Sequence, residues 1–136
     1  MKNIKKIVIW GYPLNTHTHS YIHYGWHKGF THLNYDTYWF SDNSFINPDQ
    51  FDYNNTLFIT EGYADKNIPI VKSSIYFVHM CINPLKYLNE NVRLIDIRFN
   101  IDEIKDCNYN YNLKNYIKNN EVIKISNASY YQVVNH

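Results

Sequence analysis

Four histidines, His17, His19, His23 and His27, fall inside the short run GYPLNTHTHSYIHYGWHKG, directly after the apolar segment KKIVIW. An imidazole can ligate a metal ion, accept or donate a proton near neutral pH, or hydrogen-bond an oxygen-rich ligand. In extended chain the alternation of side chains points His17 and His19 the same way. In a helix, His19, His23 and His27 stand at i, i+4 and i+8 on one edge. Those two geometries make different chemistry, and the surrounding residues must decide between them.

The H-x-H pair of His17 and His19 matches the zinc-binding start of amidohydrolase and PHP-type hydrolases. Such sites need further ligands, and only His32, His79 and His136 remain downstream among the histidines. The helical trio lacks the Glu of H-E-x-x-H. No resident metal is therefore expected, and His23 and His27 read as half-exposed neighbours of an apolar stripe. A dinucleotide fingerprint fails as well, because Gly11 is followed by YPLN and not by G-x-G-x-x-G. Asp42 is left with little claim to a ribose contact. What remains is a loop that ends at a helix N-terminus, with Thr16, Thr18 and Ser20 as candidate caps. Backbone N–H groups there would receive an anion or a sugar oxygen. The candidate site is Gly11, Tyr12, Asn15, Thr16, Thr18 and Ser20 as ligand contacts with His17 and His19 beside them.

The elements that must position this loop follow from periodicity. KIVIW (6–10) is a continuous apolar run, as in a strand covered on both faces. TYWF (37–40), TLFIT (56–60), SIYFVHM (74–80), VRLIDIRF (92–99) and EVIKIS (121–126) read as further strands. Between Ser20 and Leu33 the residues Ile22, Trp26, Phe30 and Leu33 recur at helical spacing, with Gly25 and Gly29 assigned to the side that meets the sheet. Pro84 in NPLKYLNEN suits a first helical position. Strands alternating with crossovers imply an α/β fold, a doubly wound and mostly parallel Rossmann-like sheet. In such a sheet ligands bind outside the carboxyl ends of the strands. That rule puts Glu61 and His79, at the ends of their strands, on the same rim as His17 and His19.

Composition bounds the partners. A chain of 136 residues is one domain, here 1–136, and a net charge of +1 leaves no footprint for nucleic acid. Lysines scatter, with short groups at Lys2, Lys5 and Lys6 and at Lys114 and Lys118. Cys81 and Cys107 lack C-x-x-C spacing, which fits a reducing compartment, and no apolar run approaches a membrane span. A cytoplasmic protein is expected. Heavy use of Asn, Ile, Lys and Tyr matches AT-rich codons and reduces the meaning of stretches such as NYNYNLKNYIKNN.

The blocks KIVIWGYPLNTHTHSYIHYGWHKGFTHLNYDTYWFSD, LFITEGYADKNIPI, SIYFVHMCINPLKYL and IDIRFNIDEIKDCNYNY together resemble the N-terminal half of GT-B type glycosyltransferases of AT-rich genomes, including those of large DNA viruses. The resemblance implies an acceptor-side domain. It would hold a carbohydrate or glycan acceptor, while a nucleotide-sugar is gripped by a second, donor-binding domain that this chain does not include. It also implies contacts from the Gly11 to His19 loop and from His79, a base among His17, His19 and Glu61, and no cofactor or metal. The rival expectations are a non-catalytic carbohydrate-binding or assembly module, suggested by the many aromatic residues, and a metal-dependent hydrolase built on His17 and His19.

Overall fold

The computed structural model describes residues 4–95 of the chain. Five strands, β1 (Lys6–Trp10), β2 (Thr37–Phe40), β3 (Thr56–Glu61), β4 (Ile75–His79) and β5 (Arg93–Ile95), form one sheet in the order β2-β1-β3-β4-β5. Every neighbouring pair is parallel. The fold is an α/β, Rossmann-like sheet. The strand order reverses between β1 and β3, so the loops that leave these two strands diverge and open a crevice at their carboxyl ends.

Alternation along the strands builds two cores. Ile7, Ile9, Leu57, Ile59 and Ile75 face one side, where Trp26 and Phe30 of helix α1 (Ser20–His32) cover them. Val8, Trp10, Phe58, Tyr76, Val78 and Leu94 face the other, packed with Tyr53, Ile68 and the single-turn helix α2 (Leu85–Leu88) through Tyr87 and Leu88. Burial on both faces explains the unbroken apolar runs Ile7–Trp10 in β1 and Leu57–Ile59 in β3. At its carboxyl end α1 closes with a full Schellman motif. Asn34 takes the left-handed conformation at φ 67°, Asn34 N–H donates to Thr31 O, Tyr35 N–H donates to Phe30 O, and the rings of Phe30 and Tyr35 meet edge to face.

Several expectations shift by a residue. β3 runs one residue further, to Glu61, and the 74–80 segment contracts to Ile75–His79. Ser74 is excluded because its hydroxyl works in the turn, receiving Thr56 N–H and donating to Tyr53 O. Met80 is excluded because it turns left-handed at φ 51°. Pro84 caps α2 and is not its first helical residue. Of the 92–99 segment only Arg93–Ile95 is described as strand, and the 121–126 strand and Cys107 lie outside the described residues.

One packing expectation is overturned. Gly25 and Gly29 are exposed, and a Cβ at either would meet nothing within 4 Å. The buried side of α1 centres on His23, Trp26 and Phe30, and at about 100° per residue both glycines fall roughly a third of a turn away from it. Leu33, expected in the apolar stripe, is also exposed.

Candidate functional site

The site forms where β1 and β3 part. Glu61 ends β3 as a buried residue at 2 % exposure, and His79, its register partner, ends β4. Across the crevice the β1–α1 loop delivers His19 as the residue that caps α1, with His23 one turn further on. The i, i+4 spacing of the two histidines places both imidazoles over the carboxylate. His19 Nδ1 lies 2.7 Å from Glu61 Oε2, His23 Nε2 lies 3.1 Å from Oε1, and His79 Nδ1 lies 3.8 Å from Oε2. The first contact is a good hydrogen bond. The second is within ion-pair distance but off the line of a well-formed hydrogen bond.

Hydrogen positions follow from the partners. Tyr12 N–H donates to His23 Nδ1 at 2.9 Å, so that nitrogen is the acceptor and the ring's hydrogen sits on Nε2, toward Glu61. Burial by itself would push the Glu61 carboxyl up. The close approach of the His23 and His19 imidazoles outweighs it and holds the group below its ordinary value. Glu61 is then an acceptor, and His19 donates to it through Nδ1, which leaves Nε2 on the other side of a ring whose side chain is 37 % exposed.

His23 is the correction that matters most. It was expected half-exposed beside the stripe, yet it is fully buried. Room for it exists because residue 11 is glycine. A Cβ there would stand 2.3 Å from His23 Nδ1. Gly11 therefore serves the site by the side chain it lacks. The sequence signal for His23 was its i+4 spacing from His19, which only gains meaning once Gly11 and Glu61 are beside it.

The rest of the loop is held mainly by bonds to itself. His17 stacks on Tyr12 with ring centroids 4.1 Å apart and accepts His19 N–H on Nδ1 at 3.1 Å. Asn15, left-handed at φ 69°, donates its N–H to Ser20 Oγ and accepts Tyr21 Oη–H on Oδ1. Thr16 Oγ1 donates to Pro13 O, and Thr18 is exposed. None of the three threonine and serine candidates caps α1: His19 occupies the cap position, and no side chain completes it. Ser20 N–H goes to His17 O, and Ile22 and His23 N–H both go to His19 O. These bonds engage amides that were expected to receive a ligand. The structure thus brings His19, Glu61 and His79 together with Tyr12 and His17 alongside, while Asn15, Thr16 and Ser20 shape the loop.

Asp42 has a structural part. Its carboxylate accepts Trp10 Nε1–H at 2.9 Å together with the N–H groups of Lys66 and Asn67, tying the loop after β2 to the loop after β3. Between the β1–α1 loop and the end of β2 lies a cavity of about 230 Å³ lined by Pro13, Leu14, Trp39, Phe40, Ser41 and Ser44. Among the described residues no group of three or more His, Cys, Asp or Glu side chains is arranged to hold a metal ion, and no helix is long and apolar enough to cross a membrane. No protein family, no curated protein and no solved structure matches this chain.

Proposed function

We propose that the chain is the acceptor-side domain of a nucleotide-sugar-dependent glycosyltransferase in which His19 is the base and Glu61 orients it. The supporting observation is the 2.7 Å bond between His19 Nδ1 and the buried Glu61 carboxylate at the crevice between β1 and β3. An imidazole held by a carboxylate through one nitrogen presents the other as a proton acceptor, and the carboxylate stabilises the imidazolium that results. His19 Nε2 takes the proton of an acceptor hydroxyl as that oxygen bonds to the anomeric carbon. The bond from that carbon to the nucleotide diphosphate breaks, and its electron pair leaves with the phosphate. The donor is held by a domain other than this one. The cavity lined by Pro13, Leu14 and the end of β2, at about 230 Å³, is below the roughly 300–1,000 Å³ of pockets for drug-sized ligands.

A second reading, a carbohydrate-binding module without chemistry, draws on the exposed rings of Tyr21, Tyr35 and Tyr63. Amide shift mapping with a panel of saccharides and nucleotide-sugars checks the domain's side of the reaction. Saccharides are expected to perturb Tyr12, His17, His19 and His79, and nucleotide-sugars to bind weakly. Nucleotide-sugar binding at about micromolar strength, near −8 kcal/mol, would make this the donor domain instead. With a donor-binding half supplied, His19→Ala should lower the transfer rate about a hundredfold or more and leave saccharide affinity within a few-fold. Equal rates for wild type and variant would remove His19 as the base.

A further inference from the structure

Of the two imidazoles that the start of α1 brings to the Glu61 carboxylate, only one faces solvent. His19 is 37 % exposed in its side chain, whereas His23 is fully buried. A buried histidine with one nitrogen fixed by a backbone N–H has one hydrogen left to give. Here that hydrogen faces Glu61. We infer that His23 is a positioning residue for His19: it holds Glu61 as a carboxylate, which keeps the His19 hydrogen on Nδ1 and leaves Nε2 as the acceptor.

The inference rests on reading His19 as the base. If Glu61 took up a proton, its hydroxyl would donate to His19 Nδ1, the imidazole hydrogen would move to Nε2, and the ring would present a donor where a base is needed. Burial favours that outcome, because a carboxyl at 2 % exposure is poorly solvated as an anion. The donors that oppose it are His19 and His23 from the start of α1, with the His79 ring of β4 at 3.8 Å. Tyr12 is tilted over the His23 ring at 5.6 Å and Trp26 at 5.5 Å, so aromatic faces enclose it on α1 and on the loop. His23 is thus the donor to Glu61 that the protein encloses and orients most completely.

Two variants separate the role from mere packing. His23→Gln retains the ability to accept Tyr12 N–H and to donate to Glu61, whereas His23→Phe fills the space with neither. Following the Glu61 carboxyl carbon and the His19 ring nitrogens by NMR across pH, in the 136-residue chain, reads both groups directly. Wild type and His23→Gln should titrate Glu61 below the ordinary carboxylate range and show His19 with hydrogen on Nδ1. His23→Phe should move the Glu61 midpoint up by about one pH unit or more, a tenfold or greater change in proton affinity. Should His23→Phe fail to fold, Gly11→Ala gives the same reading by forcing the His23 ring away from its place. A Glu61 midpoint unmoved in a folded His23→Phe or Gly11→Ala chain would overturn this inference and leave the base reading standing. A wild-type His19 with its hydrogen on Nε2 would sink the base reading, and this inference with it.

Discussion

The two rims of the sheet use the left-handed backbone differently. On the amino-terminal rim, the turns that feed β2, β3 and β5 place Asn34, Asn55 and Asn91 at positive φ. Asparagine is the residue other than glycine that enters this region most cheaply. On the carboxyl rim the loops after β1, β3 and β4 do so at Asn15, Tyr63 and Met80, with φ of 69°, 70° and 51°. For tyrosine and methionine the conformation costs about 1–2 kcal/mol each. The glycines divide in the same manner. Gly11 and Gly62 sit on the carboxyl rim with no room for a methyl group, while Gly25 and Gly29 stand in open space on α1. One rim is relaxed and connects strands; the other holds strained and tightly packed turns around Glu61. Strain of that kind gathers where a geometry must be held for a ligand or a reaction.

Gly62→Ala attacks this contrast most severely. Its Cβ would stand 2.1 Å from the carbonyl oxygen of Met80, backbone that cannot step aside, so the turns after β3 and β4 must separate. A loss of about 3 kcal/mol or more in urea unfolding is expected, and an unchanged midpoint would show that the two turns are not locked together.

Acid addresses the carboxylate at the centre of that rim. Because the folded Glu61 lies below its ordinary value of 4.5, the stability it contributes is complete above that value and is lost as pH falls through the lower folded value. Unfolding free energy should therefore drop below about pH 4.5 in wild type, and the drop should be smaller in Glu61→Gln. Equal slopes in the two proteins would mean that other carboxylates account for the acid loss.

The mildest test compares left-handed residues across the rims. Tyr63→Gly relieves strain at an exposed residue and should add up to about 1 kcal/mol, after allowing for the greater freedom of glycine in the unfolded chain. Asn34→Gly should change stability by a few tenths at most. If both substitutions stabilise alike, the rims do not differ in strain.

How much of this was written in the chain depends on the range of the interaction concerned. KIVIW reads as a strand because its apolar run is continuous, and both it and TYWF begin and end where expected. The start of α1 at Ser20 was also legible, since the loop and the stripe meet there. Glu61 and His79 could be placed on the rim with His19 because parallel strands send their ends one way. The burial of His23 could not be read locally, for it depends on the missing side chain of Gly11, twelve residues earlier, and on a carboxylate thirty-eight residues later. Asp42 was obscure for the same reason. Its partners are Trp10 at the end of β1 and Lys66 and Asn67 in the loop after β3. Gly25 and Gly29 misled because a regular spacing fixes a common side of a helix without saying which side is covered.

The all-parallel pairing of the sheet has a consequence in time. β1 lies between β2 and β3, and in its register Lys6 stands beside Thr56 and Thr37 stands beside Ile7. Among the described residues no hairpin lets one of these strands close on its immediate neighbour, so each pairing waits for a long loop to be drawn in, which slows folding. During synthesis the segment KIVIW leaves the ribosome before the other described strands and must remain without its β3 partner until some fifty further residues have been made. Through that interval it is an apolar edge open to other chains. Lys5 and Lys6 stand directly before its apolar residues, where a charge discourages such association until β3 arrives.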